Sequence, residues 1–417
     1  METKLKNIHI ERLKDRFQQM ASIGRTESGG VTRLALSPED REARELLVHW
    51  MQKIGLATRY DDVGNIYGRL EGREKNADAV LIGSHIDTVP NGGQFDGTLG
   101  VLAALEVVQS IKEQQKELKH PVEIVSFTNE EGARFTPQML GSGVVANEFT
   151  REYVYERKDM KGLSFYDQLK KIGFVGSEAN RLKNGKAFLE FHIEQGPVLE
   201  AENLPVGVVE GIAGFAWMEV IINGQSNHSG TTPMHLRQDP LVAAAAIIKE
   251  LHDFAKNKKD GTVITTGRIQ AFPNIINAIP SQTIFSIDVR HAERKSLEST
   301  IAEIKKIVEQ HAGEVKMDMT TEEIWTKHPV SFSPKVISVI EQICKQQQTP
   351  FKRMISGAGH DAMYMNAITD TAMIFVPSVA GKSHCKEEET SWDDIEKGMN
   401  ILYDTVCKLA NGDSESL

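Results

Sequence analysis

What most constrains the fold of this chain is a recurring pattern: short apolar runs of strand length, each ending in or just before acids and histidines. "AVLIGSHID" (79–87), "VEIVSFTNEE" (122–131), "AFLEFHIEQ" (187–195) and "TAMIFVPS" (371–378), the last followed by "VAGKSH", read this way. Helical stretches lie between them. Ser37 and Pro38 supply a cap and first turn for residues 39–55, and residues 97–114, 334–347 and 392–410 also read as helices. Strands alternating with helices predict an α/β fold, a mixed twisted sheet largely covered by helices. Ligand sites of such sheets form where the strands end.

From Gly214 the order changes. A strand at 215–224, a helix at 239–257, strands at 262–272 and 282–290, a helix at 295–311 and a strand at 314–320 follow one another. That is a ferredoxin-like β-α-β-β-α-β unit. The elements after His328 and Pro329 read as a return to the first domain. The expected organisation is therefore a discontinuous domain of residues 1–213 and 329–417, interrupted by an inserted domain at 214–328.

Composition narrows the function. A chain of 417 residues with 40% hydrophobic content can bury a large core. Its formal net charge of −10, with no basic block, argues against nucleic acid or an anionic membrane surface and favours small polar partners. The first residues mix charges without an apolar core of signal-peptide length, and no apolar run approaches a membrane span, so a cytoplasmic location is expected. Cys344, Cys385 and Cys407 lie far apart, in the spacing of neither a disulfide framework nor a zinc ribbon. The tail from Asn411 onward is expected to fray.

The chemistry concentrates at the strand ends. His85 and Asp87, two apart, would project from one face of an extended segment, so the Asp87 carboxylate is expected to orient the His85 ring. Asp96 sits in a glycine-flanked turn and is free to bridge; His192 and His384 follow later strands. Any one of the 13 histidines is more often a surface or hydrogen-bonded residue than a ligand, and adjacent glutamates, as in "KEEET" (386–390), usually form a solvated face. The combination is less ordinary. If His85, Asp96, Glu131, His192 and His384 converge, their nitrogens and oxygens suit zinc, manganese or cobalt. A shared aspartate would hold two ions close enough to activate one bridging water. Adjacent Glu130 and Glu131 then have separate tasks: Glu131 binds metal, and Glu130 stays unliganded to move a proton from water to a leaving nitrogen.

At this point the motifs form a known order. "GSHIDTVPNGGQFDG", "TNEEGARF", "HIEQGPVLE", "NHSGTTPM", "INAIPSQTIFSIDVRH", "SGAGHDA" and "IFVPSVAGKSH" resemble the dinuclear metal amidohydrolases that act on ureido groups. These are the allantoate amidohydrolases and N-carbamoyl-L-amino-acid hydrolases, a branch of the aminoacylase and carboxypeptidase type of metallopeptidases. The resemblance implies a di-zinc peptidase-like catalytic domain, with the insertion as lid and homodimerisation surface. It implies one ion on His85, Asp96 and His192, a second on Asp96, Glu131 and His384, and often a cis peptide after Asp96. His228 would reach a partner subunit's site and stabilise the developing oxyanion. Asn277 and Arg290 would hold a substrate carboxylate, although Arg290 could equally pair with Asp288. Gln195 and the backbone near Gly357 to His360, with Gly359 and His360 foremost, are further candidates for substrate contact. The implied substrate is a small ureide bearing a carboxylate. The motifs favour allantoate, with an N-carbamoyl-L-amino acid as the alternative and an aminoacylase or peptidase further off. Rivals from other classes are a catalytically silent ureide-binding protein and a cysteine hydrolase using Cys385 beside His384.

Overall fold

The computed structural model describes residues 7–74 and 76–412. The expectation of a frayed tail therefore lies, from residue 413 onward, outside the described residues. The chain divides into two compact units: residues 1–211 with 331–417, and residues 212–330.

The larger unit is built on a nine-stranded sheet. Its order is Ala57–Tyr60, Ile66–Leu70, Val122–Phe127, Val80–His85, Ala187–Ile193, Thr371–Val376, Val206–Ile212 and Val330–Ser331, with Phe351–Ser356 also paired to Val206–Ile212. The central strands Val122–Phe127, Val80–His85, Ala187–Ile193 and Thr371–Val376 run parallel, whereas their flanking neighbours run antiparallel. In that register His85 pairs with Phe127 and His192 with Phe375. The polar residues ending these runs therefore share one edge of the sheet. Every residue of the four parallel strands is buried, as strands covered on both faces must be. The helix Thr98–Glu113, buried along most of its length, packs against the strands Val80–His85 and Ala187–Ile193.

Local chemistry sets the helix ends. Ser37 accepts a hydrogen bond from the Asp40 amide ahead of Pro38–Lys53. Gly412, in the left-handed conformation, terminates Trp392–Asn411.

The smaller unit has its own core. Its sheet runs Ile269–Phe272, Gln282–His291, Gly214–Asn223, Asp318–Lys327, with Val263–Thr265 also paired to Gln282–His291, and the pairings are antiparallel. Ala216, Met218, Val220 and Ile222 alternate on one strand and Phe285, Ile287 and Val289 on the next. They pack against Ala244, Ile247 and Leu251 of the helix Pro240–Lys258 and Leu297, Ile304 and Val308 of Arg294–Val315. The strand expected at 314–320 begins instead at Asp318 and extends to Lys327, because the preceding helix runs on to Val315 and ends at Lys316 with φ +51°. The segment at 262–272 forms two short strands rather than one. Among the described residues, no helix is long and apolar enough to cross a membrane.

Candidate metal centre

All the strand-end acids and histidines singled out in the larger unit meet at the edge where the parallel strands stop. His85 is the last residue of its strand, His192 the penultimate residue of Ala187–Ile193, and Glu130 and Glu131 lie just past Val122–Phe127. His85, Asp96 and His192 bring ligand atoms within 4.8 Å of one another, and so do Asp96, Glu131 and His384. Asp96 belongs to both groups. Its Oδ1 lies 3.1 Å from His192 Nε2 and 3.8 Å from His85 Nε2, while its Oδ2 lies 3.1 Å from His384 Nε2. Glu131 Oε2 is 3.4 Å from His384 Nε2, and Glu130 Oε2 is 3.4 Å from His85 Nε2. The two consecutive acids thus serve opposite ends of the cluster.

Two of the three imidazoles are fixed from behind. His85 Nδ1 lies 2.9 Å from the Asp87 main-chain oxygen and His192 Nδ1 lies 2.9 Å from that of Ile193. These bonds require a proton on Nδ1 and make Nε2, which in His192 accepts from the Gly97 amide at 3.1 Å, the nitrogen able to coordinate. The expectation for the Asp87 carboxylate needs correcting. Its Oδ1 stays 3.9 Å from the His85 ring, and its two oxygens accept from the backbone amides of Glu130 and Glu131, each at 3.3 Å. The main chain of Asp87 orients the histidine; its side chain holds the two glutamates.

The turn after Asp96 departs from the expected cis peptide. Among the described residues the cis bonds are Thr136–Pro137 and Phe272–Pro273. Gly97 instead adopts φ +61° and ψ −48°, and the Thr98 amide donates to the Asp96 oxygen at 2.6 Å, closing a three-residue γ-turn. A Cβ at this position would lie 2.3 Å from the His85 ring, so only glycine fits. Asn129, Gln195 and His384 also have positive φ, each in a turn beside a cluster residue.

Electrostatically the cluster is short of positive charge. Burial, and then the charges of Asp361, Glu131, Asp96 and Asp87, push the Glu130 carboxyl well above its usual range. Burial, Asp96 and Asp87 do the same to Glu131. Burial lowers His85 to about 4, whereas at His192 the hydrogen bond and charge of Asp96 outweigh burial and raise it to about 9. Glu131 Oε1 is buried with no hydrogen-bond partner. An orphaned carboxylate oxygen amid mutually repelling acids and histidine Nε2 atoms is a donor set suited to divalent cations. A third grouping, Glu190 with His192 and His360, is less open to an ion. Both Glu190 oxygens are occupied, by the Ser84 hydroxyl at 2.6 Å and the Ala362 amide at 2.9 Å.

The remaining candidates fall in several places. Gln195 donates through Nε2 to Asp96 Oδ2 at 2.9 Å and to Ser383 at 3.1 Å. His360 is buried, stacked edge-on against His192 with ring centroids 4.5 Å apart and bonded to Ser356 at 2.9 Å, with Gly359 preceding it in the loop. In the smaller unit His228 and Asn277 are exposed neighbours, since Ala278 pairs with His228 and the Ser229 amide donates to the Asn277 oxygen. Arg290 makes the alternative ion pair, to Asp288 at 2.8 Å, and lies over the Phe215 ring. His384 turns Nε2 toward Asp96 and Glu131, the geometry of a ligand rather than of a base for Cys385.

One residue escaped sequence reasoning. The solvated face expected at 386–390 is broken by Glu388, which is 5% exposed and accepts from the Phe95 and Asp96 amides. Its signal was weak: an acid four residues after His384, between exposed Glu387 and Glu389.

Residues 81–408 match the model of peptidase family M20/M25/M40. The chain is 39% identical to an N-carbamoyl-L-amino-acid amidohydrolase of Pseudomonas sp. (strain NS671), covering 96% of this chain and 98% of the relative. It is 36% identical to an allantoate amidohydrolase of Escherichia coli (strain K12), covering 95% and 97%. Its fold superposes with a TM-score of 0.92 on a crystal structure of a hydantoinase/carbamoylase family amidase from Burkholderia multivorans, 38% identical over 97% of this chain and 98% of that one. With the paired ligand groups meeting at Asp96, these likenesses establish that the chain belongs to peptidase family M20/M25/M40, in its branch of carbamoylases and allantoate amidohydrolases, hydrolases of non-peptide carbon–nitrogen bonds.

Proposed function

We propose that this chain hydrolyses the terminal ureido group of a small carboxylate substrate, with two divalent metal ions as cofactor. The observation that carries the reading is the pair of ligand groups sharing Asp96, with a third carboxylate, Glu130, 3.4 Å from His85. His85, Asp96 and His192 would hold one ion, and Asp96, Glu131 and His384 the other. The ions, zinc, manganese or cobalt, would supply Lewis acidity and acidify a water between them.

The chain's own residues carry the proton. Glu130 is held by Asp87 through its amide, and burial among acids raises its carboxyl well above the usual range, which favours its taking up a proton. It takes a proton from water as the water oxygen adds to the ureido carbonyl. It then returns a proton to the departing nitrogen as the C–N bond breaks. Ammonia leaves, and the remaining carbamate loses carbon dioxide to give the amine. His228 of a partner subunit would stabilise the oxyanion, while Asn277 and Arg290 would bind the carboxylate. For this, the smaller unit would act as lid and dimerisation surface, and Arg290 would exchange Asp288 for substrate.

Within this class, "SNHSGTTPM", "PNIINAIP", "SIDVRH" and "SGAGHDA" support allantoate, giving ureidoglycine. A second reading, an N-carbamoyl-L-amino acid, is supported by the rings beside Arg290. Phe215 packs with Trp217 and Trp325 at centroid distances of 5.5 and 4.9 Å, apolar rings against which an amino-acid side chain would pack. Ammonia release from both substrate types, using chelator-stripped protein with and without added metal, decides. Metal-restored turnover of either supports the ureidohydrolase reading, and the ratio names the substrate. No turnover of any ureide by metal-loaded protein sinks it.

A further inference from the structure

We propose that Glu388 is a positioning residue for the metal centre, fixing the Asp96 loop against the His384 loop and so setting how tightly the ion on Asp96, Glu131 and His384 is held. The inference rests on the two-ion reading above.

The geometry is that of a clamp. Glu388 Oε1 accepts from the Phe95 amide at 2.9 Å and the Asp96 amide at 3.0 Å, across 293 and 292 residues of sequence. Its other oxygen accepts from the Ser383 hydroxyl at 2.9 Å, one residue before His384. The same hydroxyl accepts from Gln195 Nε2 at 3.1 Å and lies 3.4 Å from Asp96 Oδ2. A single buried carboxylate therefore fixes the main chain of the shared ligand and the residue preceding a second ligand. The chain makes room for it: a Cβ on Gly93 would lie 2.0 Å from Glu388 Oε1. Arg25 and Lys386 line a cavity of about 100 Å³ together with Glu388.

Why this sets affinity follows from the reach of each ligand. His384 is the more exposed imidazole of the cluster and sits in a loop with φ +56°, so its position depends on what holds the loop. His85 and His192, by contrast, belong to central strands. Removing an outer partner of a metal ligand typically weakens metal binding about 10–100-fold. Asp96 serves both ions, but one of them keeps two ligands fixed on central strands, so Glu388 should act chiefly on the ion that depends on His384.

The test is calorimetric titration of chelator-stripped protein with manganese or zinc, comparing wild type with E388A, E388Q and G93A. G93A displaces the carboxylate without altering it, which guards against a folding defect peculiar to E388A. The wild type should take up two ions. E388A and G93A should hold one within a few-fold of the wild type and the other about 10–100-fold more weakly. E388Q should recover most of the loss, since its amide oxygen still accepts from both backbone amides. The proposal is overturned if E388A binds both ions with wild-type affinity, or if both ions weaken alike, the mark of general disruption. A wild type that takes up no ions would instead sink the two-ion reading, and the wild-type titration reveals that before any variant is considered.

Discussion

Glu130 and Glu131 are neighbours whose backbone amides both donate to Asp87, yet their carboxylates approach different histidines, His85 and His384. That divergence separates a proton carrier from a ligand and can be tested by an isosteric change. Glu130→Gln keeps the shape and removes the base, so kcat should fall by about 10²–10⁴. Both ions should remain bound, as counted by elemental analysis of the dialysed variant. Loss of an ion with the activity would make Glu130 a ligand and refute the division. Much of this site is legible in the sequence, because His85, Asp96, Glu131, His192 and His384 each follow a run too apolar to be anything but a buried strand. What is not legible depends on side-chain direction over long separations. Nothing local tells Glu388 from Glu387 and Glu389, and the two-residue spacing of His85 and Asp87 suggested a side-chain contact that the main chain makes instead.

Elements matter here through the ends they present. Arg33 is fully buried and gives its guanidinium to carbonyl oxygens of Met20 and Ile23 near the end of the helix Ile10–Ser22, to Ile86 next to His85, and to Thr98 Oγ1 at the start of the helix Thr98–Glu113. It ties an N-terminal helix to both sides of the His85–Asp96 loop. Arg33→Met would leave the carbonyl oxygens of Ile23 and Ile86 without their donor, and each such group costs about 1–3 kcal/mol. The variant should lose roughly 3 kcal/mol or more in denaturant unfolding; a change below about 0.5 kcal/mol, ordinary for surface sites, would show that the arginine holds nothing together. Element-level reading of the sequence worked for the four parallel strands and faltered elsewhere in the same sheet, missing even the largely buried Val206–Ile212. The strands Ala57–Tyr60 and Phe351–Ser356 are only partly buried, so their composition carries little periodic signal. The long strands and helices of the smaller unit were legible because alternate apolar residues face its two helices.

At the scale of the whole chain, the ligands and the insertion divide the molecule functionally. His85, Asp96, Glu131 and His192 precede the smaller unit in sequence and His384 follows it, so the larger unit's two chain segments must close on each other for the second ion to bind. The smaller unit contributes none of these ligands and has a separate apolar core. Metal should therefore stabilise one unit and leave the other alone. At a free concentration 100 times its dissociation constant, each ion adds about 2.7 kcal/mol to the state that binds it. Two ions would add about 5 kcal/mol, enough to raise the midpoint of a large domain by roughly 10 °C or more. Differential scanning calorimetry of stripped and metal-loaded protein should accordingly show two transitions. The one belonging to the larger unit moves up with metal, and the one belonging to residues 212–330 stays within a degree or two. A single transition shifting as a whole would mean that the units unfold together and that metal stabilises the insertion as much as the unit holding its ligands.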